Sequence, residues 1–166
     1  GVLRTTENPL DVALVGAGFF AIMTPEGPRY TRDGRFTVNP SGLLATLDGN
    51  LVRGENGPIY VGEGPVFFSE TGEVLVNGQV VDRLLIVEFN DRSGLIRRGA
   101  NLFEATPEAG DPFRYRAVVA PGMIELANVN VVREMVNLIN IQRAYEANQK
   151  VVQAFDETLG RIINDV

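Results

Sequence analysis

From residue 130 to 165 the apolar positions recur at a seven-residue step: Val131, Leu138, Tyr145, Val152, Leu159 and Val166. The other seam position of the same heptad is filled by Met135, Gln142, Gln149, Asp156 and Ile163. The stretch has no proline, and its one glycine, Gly160, comes near the end. Such unbroken periodicity predicts one long α-helix. At 1.5 Å per residue it would run roughly 50 Å. A helix with one apolar seam and a partly polar core row needs a partner. Burying each large seam side chain is worth about 1.5–3 kcal/mol, so the seam as a whole carries on the order of 10 kcal/mol, comparable with the stability of a whole domain. Residues 1–129 contain no second long helical pattern. The partner is therefore expected from another chain or from sequence upstream, with the seam hidden by self-association or by docking on a β domain.

Before residue 120 the period changes. Glycines fall at 27, 34, 42, 49, 57, 64, 72 and 78, most of them after a polar residue, as in Asp33-Gly34, Asp48-Gly49, Asn56-Gly57 and Asn77-Gly78. Pairs of this kind supply the positive φ of tight hairpin turns. Between them lie short β-branched and aromatic segments: Phe36–Val38, Ile59–Val61, Val66–Phe68 and Val74–Val76. The steps leave no room for crossover helices, so the sheet is expected to be antiparallel. Two longer strands are expected at Val80–Phe89 and Phe113–Ala120. In the second, Phe113, Tyr115 and Ala117 alternate with Arg114 and Arg116, which predicts one buried and one wet face. Residues 105–112 read as a loop, Pro121-Gly122 as the end of the β region, and Asn128 or Asn130 as the helix N-cap. The expected fold is mainly β with one long C-terminal α-helix: an antiparallel, hairpin-rich β domain over residues 1–120, then a linker turn and helix over 121–166.

Composition narrows the chemistry. The 166-residue chain suits one domain plus an appendage, and its net charge of −6 argues against a nucleic-acid groove. Arg97, Arg98, Arg114 and Arg116 read as solvated faces. No cysteine and no histidine occur, which removes disulfides, thiolate metal sites and the commonest general base. No apolar run is long enough to span a membrane. The chain opens on Gly1 without an initiator methionine, so missing upstream sequence is expected.

Two constellations invite a sharper reading. Gly16-Ala17-Gly18-Phe19-Phe20-Ala21 fits a dinucleotide-binding fingerprint after an apolar strand, but that motif needs a helix opening at its second glycine. Thr24-Pro25-Glu26-Gly27 stops any helix within a turn, so a bend leading into a strand at Phe19–Met23 is the preferred reading, with no cofactor. The acidic residues Asp33, Asp48, Glu55, Glu63, Glu70 and Glu73 lie in or beside turns. A hydrolytic carboxylate pair or a calcium loop is not expected from them, and no catalytic or metal-binding residue is assigned. Gln142 and Gln149 are read as register-setting seam residues.

Four separated stretches, taken together, resemble the flagellar basal-body rod and hook protein family. The first is Thr5-Thr6-Glu7-Asn8-Pro9-Leu10-Asp11-Val12-Ala13 with Gly16, Gly18, Phe19 and Phe20. The second is Tyr30-Thr31-Arg32-Asp33-Gly34-Arg35-Phe36, followed by Gly42-Leu43-Leu44 and Asp48-Gly49. The third is Gly99-Ala100-Asn101-Leu102-Phe103, and the last runs from Asn128 through Glu134-Met135-Val136-Asn137-Leu138-Ile139 to Gln142-Arg143-Ala144-Tyr145-Glu146. Ala17 and Ala127 depart from the family's usual acidic residue and Ser. The resemblance implies a non-enzymatic building block of the flagellar axle, exported without a cleaved signal peptide to the rod in the periplasmic space. It implies partners among further copies, neighbouring rod or hook subunits and an N-terminal helix of the full-length protein. The short hairpin around Asn77-Gly78 looks more like the proximal-rod than the distal-rod type. The alternatives are a distal-rod or hook subunit of the same family or, in a different class, a soluble β-domain/coiled-coil adaptor. A carbohydrate platform is disfavoured by the absence of Trp.

Overall fold

A computed structural model of the chain describes residues 2–99, 101–126, 135–136, 138–150 and 152. The chain divides into two compact units, Gly1–Ala127 and Asn128–Val166. In chain order the strands of the first are β1 (Leu3–Thr5), β2 (Val12–Val15), β3 (Phe19–Thr24), β4 (Gly27–Thr31), β5 (Phe36–Val38), β6 (Leu44–Thr46), β7 (Leu51–Gly54), β8 (Gly57–Pro58), β9 (Val66–Phe68), β10 (Glu73–Val76), β11 (Gln79–Arg83), β12 (Ile86–Glu88), β13 (Leu95–Arg98), β14 (Leu102–Ala105), β15 (Phe113–Arg114), β16 (Val118–Pro121) and β17 (Met123–Glu125). Every strand pairing among the described residues is antiparallel. The expected fold class, an antiparallel β domain with one C-terminal helix, is borne out.

Strand β3 organises the unit. Its neighbours are β4 on one side and β7 and β12 on the other, and β14 and β13 extend the sheet beyond β4. Because side chains alternate along a strand, β3 feeds two cores at once. Phe20 and Ile22 join the larger one, with Phe36, Leu44, Val52, Ile59, Val74 and Val119. Phe19 and Ala21 point into a smaller one with Tyr30, Val87, Phe89 and Ala109. Edge-to-face aromatic contacts lock each cluster: Phe20 meets Phe36 at 5.2 Å, and Phe19 meets Phe103 at 5.6 Å.

Two-residue turns account for the tight hairpins. Asn77 has φ +51° and Gly78 φ +79°, the paired positive values that join two strands with matching twist. They connect β10 to β11. Gly16 and Gly18 have φ of +91° and +108° and make the bend into β3, in place of a phosphate-binding helix start.

Four expectations need correction. Val80–Phe89 is not one strand: the chain leaves β10 at Leu84, whose N–H donates to Gly72, and Leu85 N–H bonds Arg53 instead. Phe113–Ala120 is likewise split, with β15 on β12 and β16 on β2. Phe113 and Tyr115 stay 43% and 37% exposed, so the buried face expected there does not form. Ile59 and Val61 are buried, but their backbone groups bond Leu44 and Gly42 around an isolated bridge of Tyr60 with Leu43 and build no strand. Pro121-Gly122 does not end the β region. Gly122, at φ +67°, turns the chain so that its N–H reaches Asp11 and its C=O receives Thr6 N–H, and β17 follows.

In the second unit, residues 135–136, 138–150 and 152 are helical. The remainder of the predicted helix, with its N-cap, lies outside the described residues.

Candidate functional site

The second family-like stretch folds into a knot of hydrogen bonds at the end of β4. Arg32 uses all five of its N–H donors. Nη1 reaches the carbonyls of Gly16 (2.7 Å) and Gly18 (2.8 Å). Nη2 reaches that of Leu14 (3.3 Å) and, with Nε, one oxygen of Glu125 at 2.8 and 3.1 Å. One guanidinium thus ties β2, the glycine bend and β17 to β4. Lysine, with three donors on one nitrogen, cannot reproduce this fork. Burial opposes ionisation of Glu125, but its ionic and hydrogen-bond partners, Arg32 among them, outweigh that and hold its carboxyl below the usual range.

The neighbours of Arg32 close the same region. Thr31, buried, donates its hydroxyl to Asn101 C=O at 2.7 Å. Asp33 accepts from the Arg35 side chain at 2.9 and 2.6 Å and from Asn101 at 2.6 Å. Burial raises its pKa, yet these bonds prevail and depress it. Gly34 is needed for space rather than for φ, which corrects the turn reading of Asp33-Gly34: a Cβ there would lie 1.8 Å from Val12 O. The first stretch sits alongside. Asn8 caps its own turn, receiving Leu10 N–H at 3.1 Å and donating to Asp11 at 2.9 Å, while Leu10 C=O accepts Phe36 N–H. Pro9 is exposed, and Phe19 and Phe20 enter the two cores. Asn8, Leu10, Asp11, Gly16, Gly18, Thr31, Arg32 and Gly34 are therefore brought together as a closure that positions β17, not as a pocket.

That closure ends at the chain's exit. Strands β1 and β17 pair with Leu3 opposite Glu125, and Leu126 N–H donates to Val2 C=O at 2.9 Å. Since the two strands are antiparallel, whatever precedes Leu3 and whatever follows Glu125 leave from the same end of the ribbon.

The helical seam is the second candidate. Met135, Leu138, Tyr145 and Val152 are 58%, 66%, 64% and 59% exposed. Gln142 donates to Glu146 at 3.2 Å, one turn on along the same helix. Ile139 and Ile141, at 51% and 67% exposure, flank the seam on either side. They were legible as apolar but lay outside the seven-residue step, so the exposed face is wider than the heptad rule alone suggests. Val131 and Leu159 lie outside the described residues.

A catalytic arrangement finds no support here. Glu55 and Glu70 border a groove of about 550 Å³, but Arg83, Arg114 and Arg116 share it, an ion-pairing surface unlike the apolar setting that keeps a catalytic acid protonated. No cluster of potential metal ligands occurs among the described residues, nor any helix long and apolar enough to cross a membrane.

Comparison with known proteins gives the decisive observation. Residues 13–81 match the flagellar hook protein FlgE/F/G D1 domain, and residues 120–165 match the flagellar basal body rod FlgEFG protein C-terminal region. The chain is 35% identical to the flagellar basal-body rod protein FlgG of Buchnera aphidicola subsp. Baizongia pistaciae, over 98% of this chain and 67% of the relative. The chain belongs to the flagellar basal-body rod protein family. It is also 37% identical to FlgF of Caulobacter vibrioides, over 92% of this chain and 63% of that protein, and 36% identical to FlgG of Agrobacterium fabrum, over 95% and 64%. The chain spans about two thirds of the length of these relatives. A structural rod subunit, not an enzyme, is the role this family membership carries.

Proposed function

We propose that this rod-family chain assembles through its C-terminal helix with further copies of itself and with neighbouring rod or hook subunits, in the part of the basal body that crosses the periplasmic space, after export without a cleaved signal peptide. The observation that carries the reading is the uncovered seam. Met135, Leu138, Tyr145 and Val152 form an apolar row more than half exposed, and an apolar helix face with this heptad spacing is stabilised by burial against a partner helix. The β1–β17 ribbon supports a specific source for one partner. The relatives are about half as long again, and any helix upstream of Val2 would depart beside the exit at Leu126.

Within the family the FlgF, proximal-rod type is favoured. The alignment to the Buchnera FlgG runs to 178 positions, more than the 166 residues of this chain, so that relative carries insertions absent here. The Caulobacter FlgF alignment runs to 155. A β10–β11 connection of only two residues, Asn77-Gly78, agrees with the shorter type.

Leu138→Asp in the full-length protein tests the assembly reading. Isolated basal bodies viewed by electron microscopy should lack the rod segment, while circular dichroism of the purified variant keeps its β signal. Intact rods containing the variant at normal occupancy would refute it.

A further inference from the structure

The β unit carries two exposed surfaces that the closure does not use. Across the β9–β10–β11 sheet, Phe67 stands opposite Leu75, and Leu75 opposite Val80. Alternation places Val66, Phe68 and Val74 in the core and turns this row outward: Phe67 is 53% exposed, Val80 56%, and Val81, at the adjoining bulge, 44%. Isolated surface hydrophobics need no explanation, but a row in register across three strands is a contiguous patch. Its frame is acidic. Residues 63–82 contain Glu63, Glu70, Glu73 and Asp82 and no lysine or arginine. Glu73 is taken by Arg83, the last residue of β11, at 2.8 Å. Glu70 borders the groove that Arg83, Arg114 and Arg116 also line, without an ion pair of its own among the described residues, and Glu63 also makes none there.

The opposite pattern lies on the far side of β3. Strand β13 is the edge of the ten-stranded sheet, beyond β14 and β4. Ile96, 47% exposed, sits beside exposed Arg97 and Arg98, and residues 92–99 contain three arginines and no acid. Arg97 rests over the Phe103 ring at 5.6 Å, and Arg98 pairs with Glu104 while staying 61% exposed. Arginine on an edge strand discourages indiscriminate strand addition and selects an acidic partner.

We propose that the Phe67–Leu75–Val80 row of one copy receives the Ile96–Arg97–Arg98 edge of a second copy. The apolar row covers Ile96, and the two arginines face Glu63 and Glu70. The contact is head-to-tail: each copy offers a different surface to each neighbour, and a contact of this class repeats along a filament unless its rotation closes a ring. It adds a β-to-β contact to the helix contact, and rests on the rod reading for the setting in which copies meet.

The cysteine-free sequence makes the test direct. Phe67→Cys and Ile96→Cys chains, one carrying a mass tag, are mixed and oxidised. The proposal expects the Phe67→Cys/Ile96→Cys heterodimer to exceed either homodimer by about tenfold. Absence of cross-linking, or a dominant Phe67→Cys homodimer, overturns it. In a second arm, Arg97→Glu with Arg98→Glu should weaken association of copies about tenfold, and Glu63→Arg with Glu70→Arg in the partner should restore it; failure to restore also overturns it. Repeating the cross-link in a Leu138→Asp background separates the two readings. A heterodimer that persists there supports a β-borne contact whatever becomes of the helix reading, and one that vanishes refutes the proposal.

Discussion

Removing the Arg32 fork should loosen the β unit by a predictable amount. Arg32→Ala strips the hydrogen bonds from three backbone carbonyls, those of Leu14, Gly16 and Gly18, and leaves the Glu125 carboxylate without its guanidinium. Breaking a fully buried charged pair costs about 3–5 kcal/mol. Here the two side chains are 27% and 20% exposed, so water replaces part of the loss and about 2–4 kcal/mol is expected. With a urea m-value of about 2 kcal/mol per molar, the midpoint should fall by roughly 1–2 M. Arg32→Lys keeps the charge but not the fork and should fall between the two. Urea titration followed by tyrosine fluorescence is suitable, since no Trp is present. The effect should also depend on pH. Glu125's pKa is lowered in the folded state, so its contribution is fully present above the unfolded carboxylate value of about 4.3 and is lost as pH falls through the depressed folded value. The gap between wild type and Arg32→Ala should therefore narrow in acid. A midpoint shift below about 0.3 M, or a gap that does not change with pH, would refute the reasoning.

Other positions give sharper contrasts. Gly34→Ala places a carbon 1.8 Å from a backbone oxygen and should cost more than about 3 kcal/mol, whereas Gly16→Ala, with open space but φ +91°, should cost only about 1 kcal/mol; equal urea midpoints would contradict this. Phe20→Ala, at a fully buried core position, should cost about 3–5 kcal/mol, and a change under about 1 kcal/mol by urea titration would show that the core is drawn wrongly. Lowering pH through the carboxylate range should destabilise the unit generally. Glu88 is held low chiefly by its bond from Arg92, and Asp33 is depressed as well, so both contribute above the unfolded carboxylate value and lose that contribution below it; a midpoint flat from pH 6 to 3 would contradict the assignment.

The legible and illegible parts of the fold differ for physical reasons. Turn chemistry is local, so Asn77-Gly78 announced its hairpin, and Gly16-Ala17-Gly18 its bend, without knowledge of partners. β-Branched and aromatic residues set between glycine turns likewise marked Val66–Phe68 and Val74–Val76. Strand length was not legible, because continuity depends on which neighbour accepts the next N–H. Leu84 and Leu85 look like mid-strand residues, yet their bonds go to Gly72 and Arg53, and Tyr115 bonds Ile86 between two short strands. Pro121-Gly122 reads as a stop, but Asp11 and Thr6, more than a hundred residues earlier, turn it into a bend. The site was legible only as a motif. Nothing local in Thr31-Arg32-Asp33-Gly34 says that Arg32 will find Glu125, or that Gly34 answers to Val12 O. The helix face was visible from its seven-residue step, while Ile139 and Ile141 broadened it beyond that rule.

The central claim is that the seam of the C-terminal helix is covered by other subunits in the rod. Because the chain has no cysteine, Leu138→Cys provides one reporter, read by the rate of maleimide labelling in dilute monomer and in purified basal bodies. The account predicts rapid labelling of the monomer and protection by at least about a hundredfold in the assembled rod. Equal labelling in the two states would contradict it.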